Sequence, residues 1–309
     1  MDSAKKTSEK PLKSGFVSII GNANTGKSTL LNNILGEKLT ITSSKPQTTR
    51  NTIRGIYNDE DSQIVFIDTP GLHNPKHRLG DFMTRSALRT LSSVDLILYV
   101  VDATNDKDML DDRVIRALEK LDTKAFLIVN KIDKVNDMPR MEEYIEKLKA
   151  RHSFDGVFAV SALQGIHTDL LKTDIKAALP EGPRYYPEDM RTDHPEKFLI
   201  AERIREKVLD LTQEEVPHSV AVIIEGMERD TENPNLLNIH ATIIVERDSQ
   251  KGIIIGKGGR LLKMIGTRAR QDILELLDTK IYLDLYVKVV KGWRNKPTHL
   301  YDLGFRDEE

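Results

Sequence analysis

The chain has 309 residues, of which 39% are hydrophobic and 30% charged, with a formal net charge of −2, the profile of a globular protein of about two domains. It contains no cysteine, which excludes disulfides and thiolate metal sites. No apolar run approaches the roughly 18 residues of a membrane span, so a cytoplasmic protein is expected.

Residues 1–14 are polar and lysine-rich with no apolar core, and read as a tail and not a signal peptide. An apolar strand, Phe16–Ile20, then leads into Gly21-Asn22-Ala23-Asn24-Thr25-Gly26-Lys27-Ser28 and a helical stretch opening at Thr29. The octapeptide fits G-x-x-x-x-G-K-[ST] in the strand–loop–helix order that a phosphate-binding loop needs. Its glycines let successive N–H groups curl around an anion, and the helix adds its positive end. Lys27 is placed to reach β- and γ-phosphates and Ser28 to ligate magnesium.

The polar stretch Gly36–Asn51 is long for a connection and contains Ser43-Ser44-Lys45-Pro46-Gln47-Thr48-Thr49-Arg50; long ordered loops of this kind are often functional. Strands are expected at Thr52–Tyr57 and Gln63–Ile67. The second ends in Asp68-Thr69-Pro70-Gly71, where Asp68 is placed to hold a metal ion through water and the Gly71 N–H to face a γ-phosphate. A polar, histidine-bearing loop runs on to about Leu79. Buried strands follow at Asp95–Val101, Lys124–Val129 and Gly156–Val160, with helices near Met109–Leu121, Pro139–Arg151 and Thr168–Leu179. That alternation implies a mostly parallel sheet with helices on both faces, and ligands at the carboxyl ends of the strands.

Asn130-Lys131-Ile132-Asp133 and Ser161-Ala162-Leu163 sit at two such ends. A carboxylate at Asp133 can accept from guanine N1–H and the 2-amino group, for which adenine has no counterpart. The Ala162 N–H is expected to bind the base oxygen. The first domain therefore spans residues 15–180, with a proline-broken linker at 181–196.

Residues 197–309 follow a different plan. A helix at Phe198–Leu211, strands at Ser219–Met227 and Asn238–Glu246, a short apolar helix, the loop Gly256-Lys257-Gly258-Gly259, a long helix at Arg260–Leu277 and a strand at Ile281–Val290 make an α+β domain with a basic tail. G-x-x-G between two helices is the KH loop, which clamps about four nucleotides. From Arg247 to Arg270 there are seven Lys/Arg, among them Arg260, Lys263 and Arg270, against one acid, Asp248, and from Lys288 to Lys296 four more, Lys291 included, with none. Such a localised basic face is a nucleic-acid footprint. Trp293 has two readings: a stacking platform for a base, or an anchor packing the tail.

These motifs resemble the translation-factor-related GTPases. Lys45–Arg50, Asp68-Thr69-Pro70-Gly71-Leu72-His73, Ser161-Ala162-Leu163 and Glu214-Glu215-Val216-Pro217-His218-Ser219 are most similar to the Era family. The resemblance implies an α/β P-loop GTPase domain followed by a type II KH domain, GTP or GDP with magnesium as cofactors, and GTP hydrolysis. It implies 16S ribosomal RNA near its 3′ end and the small (30S) ribosomal subunit as partners, in subunit assembly. It also implies a monomer, with peripheral association with the inner face of the cell membrane. Switches are expected near Glu37–Thr52 and Leu72–Arg78, with Thr49 before Thr48 as the magnesium threonine. Gly21 to Thr29, Asp68 to Gly71, Asn130, Lys131, Asp133 and Ser161 to Leu163 would bind the nucleotide.

Ala23 and Thr25 replace the proline and valine usual in that family's loop. Leu72 stands where many GTPases carry a water-orienting glutamine, so intrinsic turnover is expected to be slow; the resemblance implies Lys27, Thr49, Gly71 and Asn24 as the catalytic set. Asn24 occupies the position that in relatives helps hold a potassium ion; its other reading is a hydrogen bond to the loop or first switch. His73 and His77 read as mobile side chains of the second switch and not as bases.

Overall fold

A computed structural model of the chain describes residues 12–75, 77–105 and 109–306. Most of the stretch read as an amino-terminal tail lies outside them, although the first strand already begins at Lys13.

The first domain runs β1 (Lys13–Ile20), α1 (Lys27–Leu35), β2 (Ile53–Asn58), β3 (Ser62–Asp68), α2 (Arg78–Arg89), β4 (Leu96–Asp102), α3 (Asp112–Leu118), β5 (Lys124–Asn130), α4 (Met138–Lys149), β6 (Gly156–Val160) and α5 (Thr168–Ala178). The strands form one six-stranded sheet in the order β2-β3-β1-β4-β5-β6. Every neighbouring pair is parallel except β2 with β3. Strand β4 shows why the sheet is covered twice. Its Leu96, Leu98 and Val100 join one core with residues of α1 and α5, while Ile97, Tyr99 and Val101 join another with residues of α2, α3 and α4. Alternating side chains of one strand are thus apolar on both faces, as a central parallel strand requires.

Helix α2 was not legible as an element. Leu79, Phe82, Met83 and Ala87 give it a buried stripe, but Gly80 and the preceding histidine loop hide its start. His77 caps it, Nδ1 accepting from the Gly80 N–H at 3.1 Å.

The linker is docked along the sheet edge. Gln63 accepts from the N–H groups of Tyr185 and Tyr186 at 2.6 and 2.9 Å, and Arg54 pairs with Asp193 at 2.8 Å.

The second domain runs α6 (Glu196–Leu211), β7 (Ala221–Arg229), β8 (Leu236–Val245), α7 (Asp248–Ile255), α8 (Arg260–Leu277), β9 (Lys280–Val289) and α9 (Pro297–Asp302). Its sheet has the order β7-β8-β9, antiparallel and then parallel, with α6, α7 and α8 packed on one apolar face. The carboxyl-terminal segment is folded. Trp293 and Leu300 pack with Leu79, Phe82 and Met83 of α2 and with Ala221 and Ile244 of the second sheet. One apolar cluster therefore joins the two domains.

Candidate nucleotide site and nucleic-acid groove

The phosphate loop lies between β1 and α1. Gly26 has φ of 95°, and a Cβ there would lie 2.3 Å from Asn130 Nδ2, so only glycine fits. Asn130 occupies that space for a reason: its Nδ2 donates to Thr25 O at 2.8 Å and its Oδ1 accepts from Ala162 N at 2.9 Å. It ties the phosphate loop to the Ser161-Ala162-Leu163 loop. The Ala162 N–H, expected to face the base, is thereby engaged with Asn130. Lys27 is nearly buried, and its ammonium donates to the carbonyls of Gly21 and Asn22 at 3.1 and 2.7 Å.

The three residues named as magnesium ligands come together. Ser28 Oγ donates to Asp68 Oδ2 at 2.7 Å and lies 2.9 Å from Thr49 Oγ1, which is 3.4 Å from the same carboxylate oxygen. Thr48 turns away, donating to Lys45 O at 2.7 Å, so of the two threonines it is Thr49 that lies beside Ser28 and Asp68. Asp68 is fully buried and its Oδ1 has no partner. Burial pushes its carboxyl up to about 6, against the pull of Ser28, Lys27 and Thr49. An orphaned carboxylate oxygen beside two hydroxyls fits a hard, oxygen-seeking cation such as magnesium. Ion binding needs the carboxylate, so nucleotide-dependent magnesium affinity should rise with pH across about 5 to 7 and level off above; a flat profile would speak against Asp68 as the anchor.

Two hollows meet here. One of about 510 Å³ is lined by Ala23, Asn24, Lys27, Ser28, Thr49 and Gly71 among others. A smaller one of about 140 Å³ is lined by Asn130, Asp133 and Leu163. They share Gly26, Thr29, Lys131 and Lys134, so the loop expected to hold phosphates and the residues expected to hold the base border adjoining hollows. Lys134 was missed because it lies just past the motif. Asp133 Oδ1 accepts from Ser161 Oγ at 2.6 Å, and Lys131 bridges Asn24 O and Asp102, each at 2.6 Å. Thr69 and Pro70 line neither hollow. Thr69 donates to Ile19 O at 2.8 Å and holds the end of β3 against β1. Asn24 Nδ2 donates to Ser44 O at 3.0 Å, the first-switch contact that was one of its two readings. His73 links Gly71 O to the Gln47 side chain, each at 3.2 Å. With His77 capping α2, both histidines are hydrogen-bonded and not loose.

The first switch is held by the second domain. Arg50, nearly buried, donates to the carbonyls of Pro217 and His218 at 3.1 and 3.2 Å and to that of Val220. Arg205 of α6 donates to Thr48 O, and Glu206 accepts from Thr42 N at 3.0 Å. The two stretches that carried part of the resemblance, Lys45–Arg50 and Glu214–Ser219, are thus partners in space. Nothing local in either stretch shows it.

In the second domain, Gly256, Gly258 and Gly259 have φ of 70°, 61° and 75°, the left-handed conformation that glycine allows. A groove of about 640 Å³ runs between α8 and the edge strand β9, lined by Gly259, Lys263, Arg270, Leu262, Leu285 and Tyr282 among others. Lys257, Gly258 and Arg260 are exposed at its loop end. Lys291 lies in a separate hollow with Arg247 and Arg294. Trp293 corrects the stacking reading: it is 0% exposed and its Nε1 donates to Ser219 O at 3.0 Å, so neither ring face is open to a base. Tyr282 and Tyr286 of β9 are exposed aromatics of this domain, and Lys251 lies 5.3 Å from the Tyr286 ring centroid. The alternation in Tyr282-Leu283-Asp284-Leu285-Tyr286 carried that signal.

Fold and site together define a P-loop protein with guanine-specificity motifs, joined to a KH domain. Residues 16–131 match the family described as 50S ribosome-binding GTPase, and residues 215–294 match the KH domain. A point variant of Aquifex aeolicus Era, solved bound to GDP and aluminium tetrafluoride, is 41% identical, with 95% of this chain and 99% of that one covered and a TM-score of 0.91. Era solved in complex with MgGDPNP and nucleotides 1506–1542 of 16S ribosomal RNA matches with the same identity and coverage and a TM-score of 0.90. The chain belongs to the Era family of GTPases.

Proposed function

We infer that this chain is a GTP-hydrolysing switch that binds single-stranded 16S ribosomal RNA near its 3′ end and acts in small-subunit assembly. One observation carries the reading: the segment bearing the magnesium threonine, Thr49, is held by carbonyls and side chains of the RNA-binding domain. The small subunit is favoured over the large one because the 16S complex matches across both domains, whereas the family description naming 50S covers the first alone.

Magnesium, held by Ser28, Thr49 and Asp68, would neutralise charge on the β- and γ-phosphates. Lys27 would add a second positive charge there, and the Gly71 N–H would serve the terminal phosphate. Hydrolysis is attack of water on the γ-phosphoryl group. Leu72 is 3% exposed and apolar, so it orients no water and intrinsic turnover is slow. Asn24 donates through Nδ2 to Ser44 O, which leaves its side-chain Oδ1 for a potassium ion. Potassium should therefore accelerate hydrolysis over sodium at equal ionic strength, and Asn24→Ala should erase the difference while GTP still binds. Equal wild-type rates in the two salts would reject the cation.

Asp133→Asn should transfer preference from GTP to xanthosine triphosphate, since an amide donor then faces the 2-oxo group. A mutant that keeps the wild-type margin for GTP would show that Asp133 does not read the base.

Among the described residues no helix is long and apolar enough to cross a membrane. A cytoplasmic monomer with peripheral membrane association completes the proposal. Co-sedimentation with small subunits, with GDP and with a non-hydrolysable GTP analogue, tests the whole reading. Binding independent of nucleotide, or none, would overturn it.

A further inference from the structure

A cavity of about 390 Å³ lies where the first switch, α2, α6 and the carboxyl-terminal segment meet. Its wall carries Arg50, Arg54, Arg89, Arg205 and Arg306 and, among the described residues, Glu202 as its one carboxylate. That carboxylate is already committed, lying 2.7 and 2.6 Å from Nε and Nη2 of Arg205. Arg54 has its own partner in Asp193.

Arg50 is the unbalanced charge. It is 2% exposed, its hydrogen bonds go to neutral carbonyls, and its Nε has no partner. Arg205, 3% exposed, keeps Nη1 without a partner as well. Burial, and next the neighbouring Arg205, hold the Arg50 guanidinium well below its usual range, with Glu202 opposing. A buried cation without a counter-charge is costly, and the cost falls when an oxyanion supplies one. Guanidinium groups are the side chains best matched to phosphate, through paired N–H donors.

The lining is also aromatic. Phe82, Phe198 and Phe305 belong to it, and His194 stacks on Phe198 with centroids 4.5 Å apart. Arginines beside rings, in a volume typical of small-ligand pockets, suit a phosphate group attached to a compact organic body. We propose that this interdomain cavity binds the phosphate of a small phosphorylated metabolite, separately from the nucleotide site. Arg50, Asn51 and Thr52 line it directly after Thr49, and Arg205 reaches from it to Thr48 O. A ligand there sits on the joint between the first switch and the RNA-binding domain.

The test fills the phosphate loop first. The full chain, saturated with magnesium and a non-hydrolysable GTP analogue, is dialysed against labelled orthophosphate. Saturable uptake of about one further phosphate per chain is expected. Ser86→Glu places a carboxylate in the wall and should weaken it about tenfold. Arg306→Ala, at an exposed position that no core contact depends on, should weaken it severalfold. Retained affinity for the GTP analogue shows that each variant is folded. No saturable uptake by the wild-type chain, or equal uptake by wild type and both variants, would overturn the site. Displacement of the bound orthophosphate by an oligoribonucleotide would also overturn it, and would make the arginines part of the RNA path.

Discussion

Lys27→Ala should lose triphosphate affinity by about 100-fold or more, because two charge-assisted contacts to the β- and γ-phosphates disappear together. The fold should survive. In this structure the ammonium serves the carbonyls of Gly21 and Asn22, and Asn22 O also accepts from Thr25 Oγ1 at 3.2 Å. Losing that donor costs about 1 kcal/mol, small beside the two cores that flank β1 and α1. The loop's shape is held independently by Asn130 through Thr25 O. Calorimetry with GTP and with GDP would separate the contributions: the loss should be larger for GTP, which alone offers a γ-phosphate. Unchanged affinity for GTP would sink the assignment of Lys27.

The nearness of the motifs to one another was readable because each sits at the end of an apolar strand, so spacing and order alone place the residues on one edge of the sheet. Even the choice of Thr49 over Thr48 follows from the resemblance, and the Ser28–Thr49–Asp68 cluster agrees with it. What stayed hidden depends on contacts far apart in the chain. Arg50 read as one more polar loop residue, since its partners lie at Pro217 to Val220. Trp293 sat among lysines and arginines, where local composition favoured RNA. Its burial depends on α2, a helix of the other domain that the sequence reading did not recognise. Tyr282 and Tyr286 alternate with leucines and were absorbed into a strand, although a half-buried edge strand must turn every second side chain outward.

The groove offers the other large effect. Replacing Lys257 and Gly258 together by Asp should lower single-stranded RNA affinity by about two orders of magnitude at moderate salt. Three units of charge are lost at the loop where phosphates approach most closely, so the salt dependence of binding should flatten as well. Misfolding does not explain such a loss in advance. Gly258 has φ of 61°, and a Cβ there meets nothing within 4 Å, while Asp is among the few residues that tolerate this conformation. Lys257 is exposed. The loop lies at the far end of α8 from Asp272, which with Glu206 pairs with Lys38 of the first domain. Basal GTP hydrolysis should therefore remain near the wild-type rate, which makes the variant a clean separation of the two activities. Anisotropy titrations with a labelled single strand from the 3′ end of 16S ribosomal RNA, at several salt concentrations, give both quantities. Retained affinity with an unchanged salt slope would mean that the RNA lies elsewhere, with the hollow around Arg247, Lys291 and Arg294 the next surface to alter.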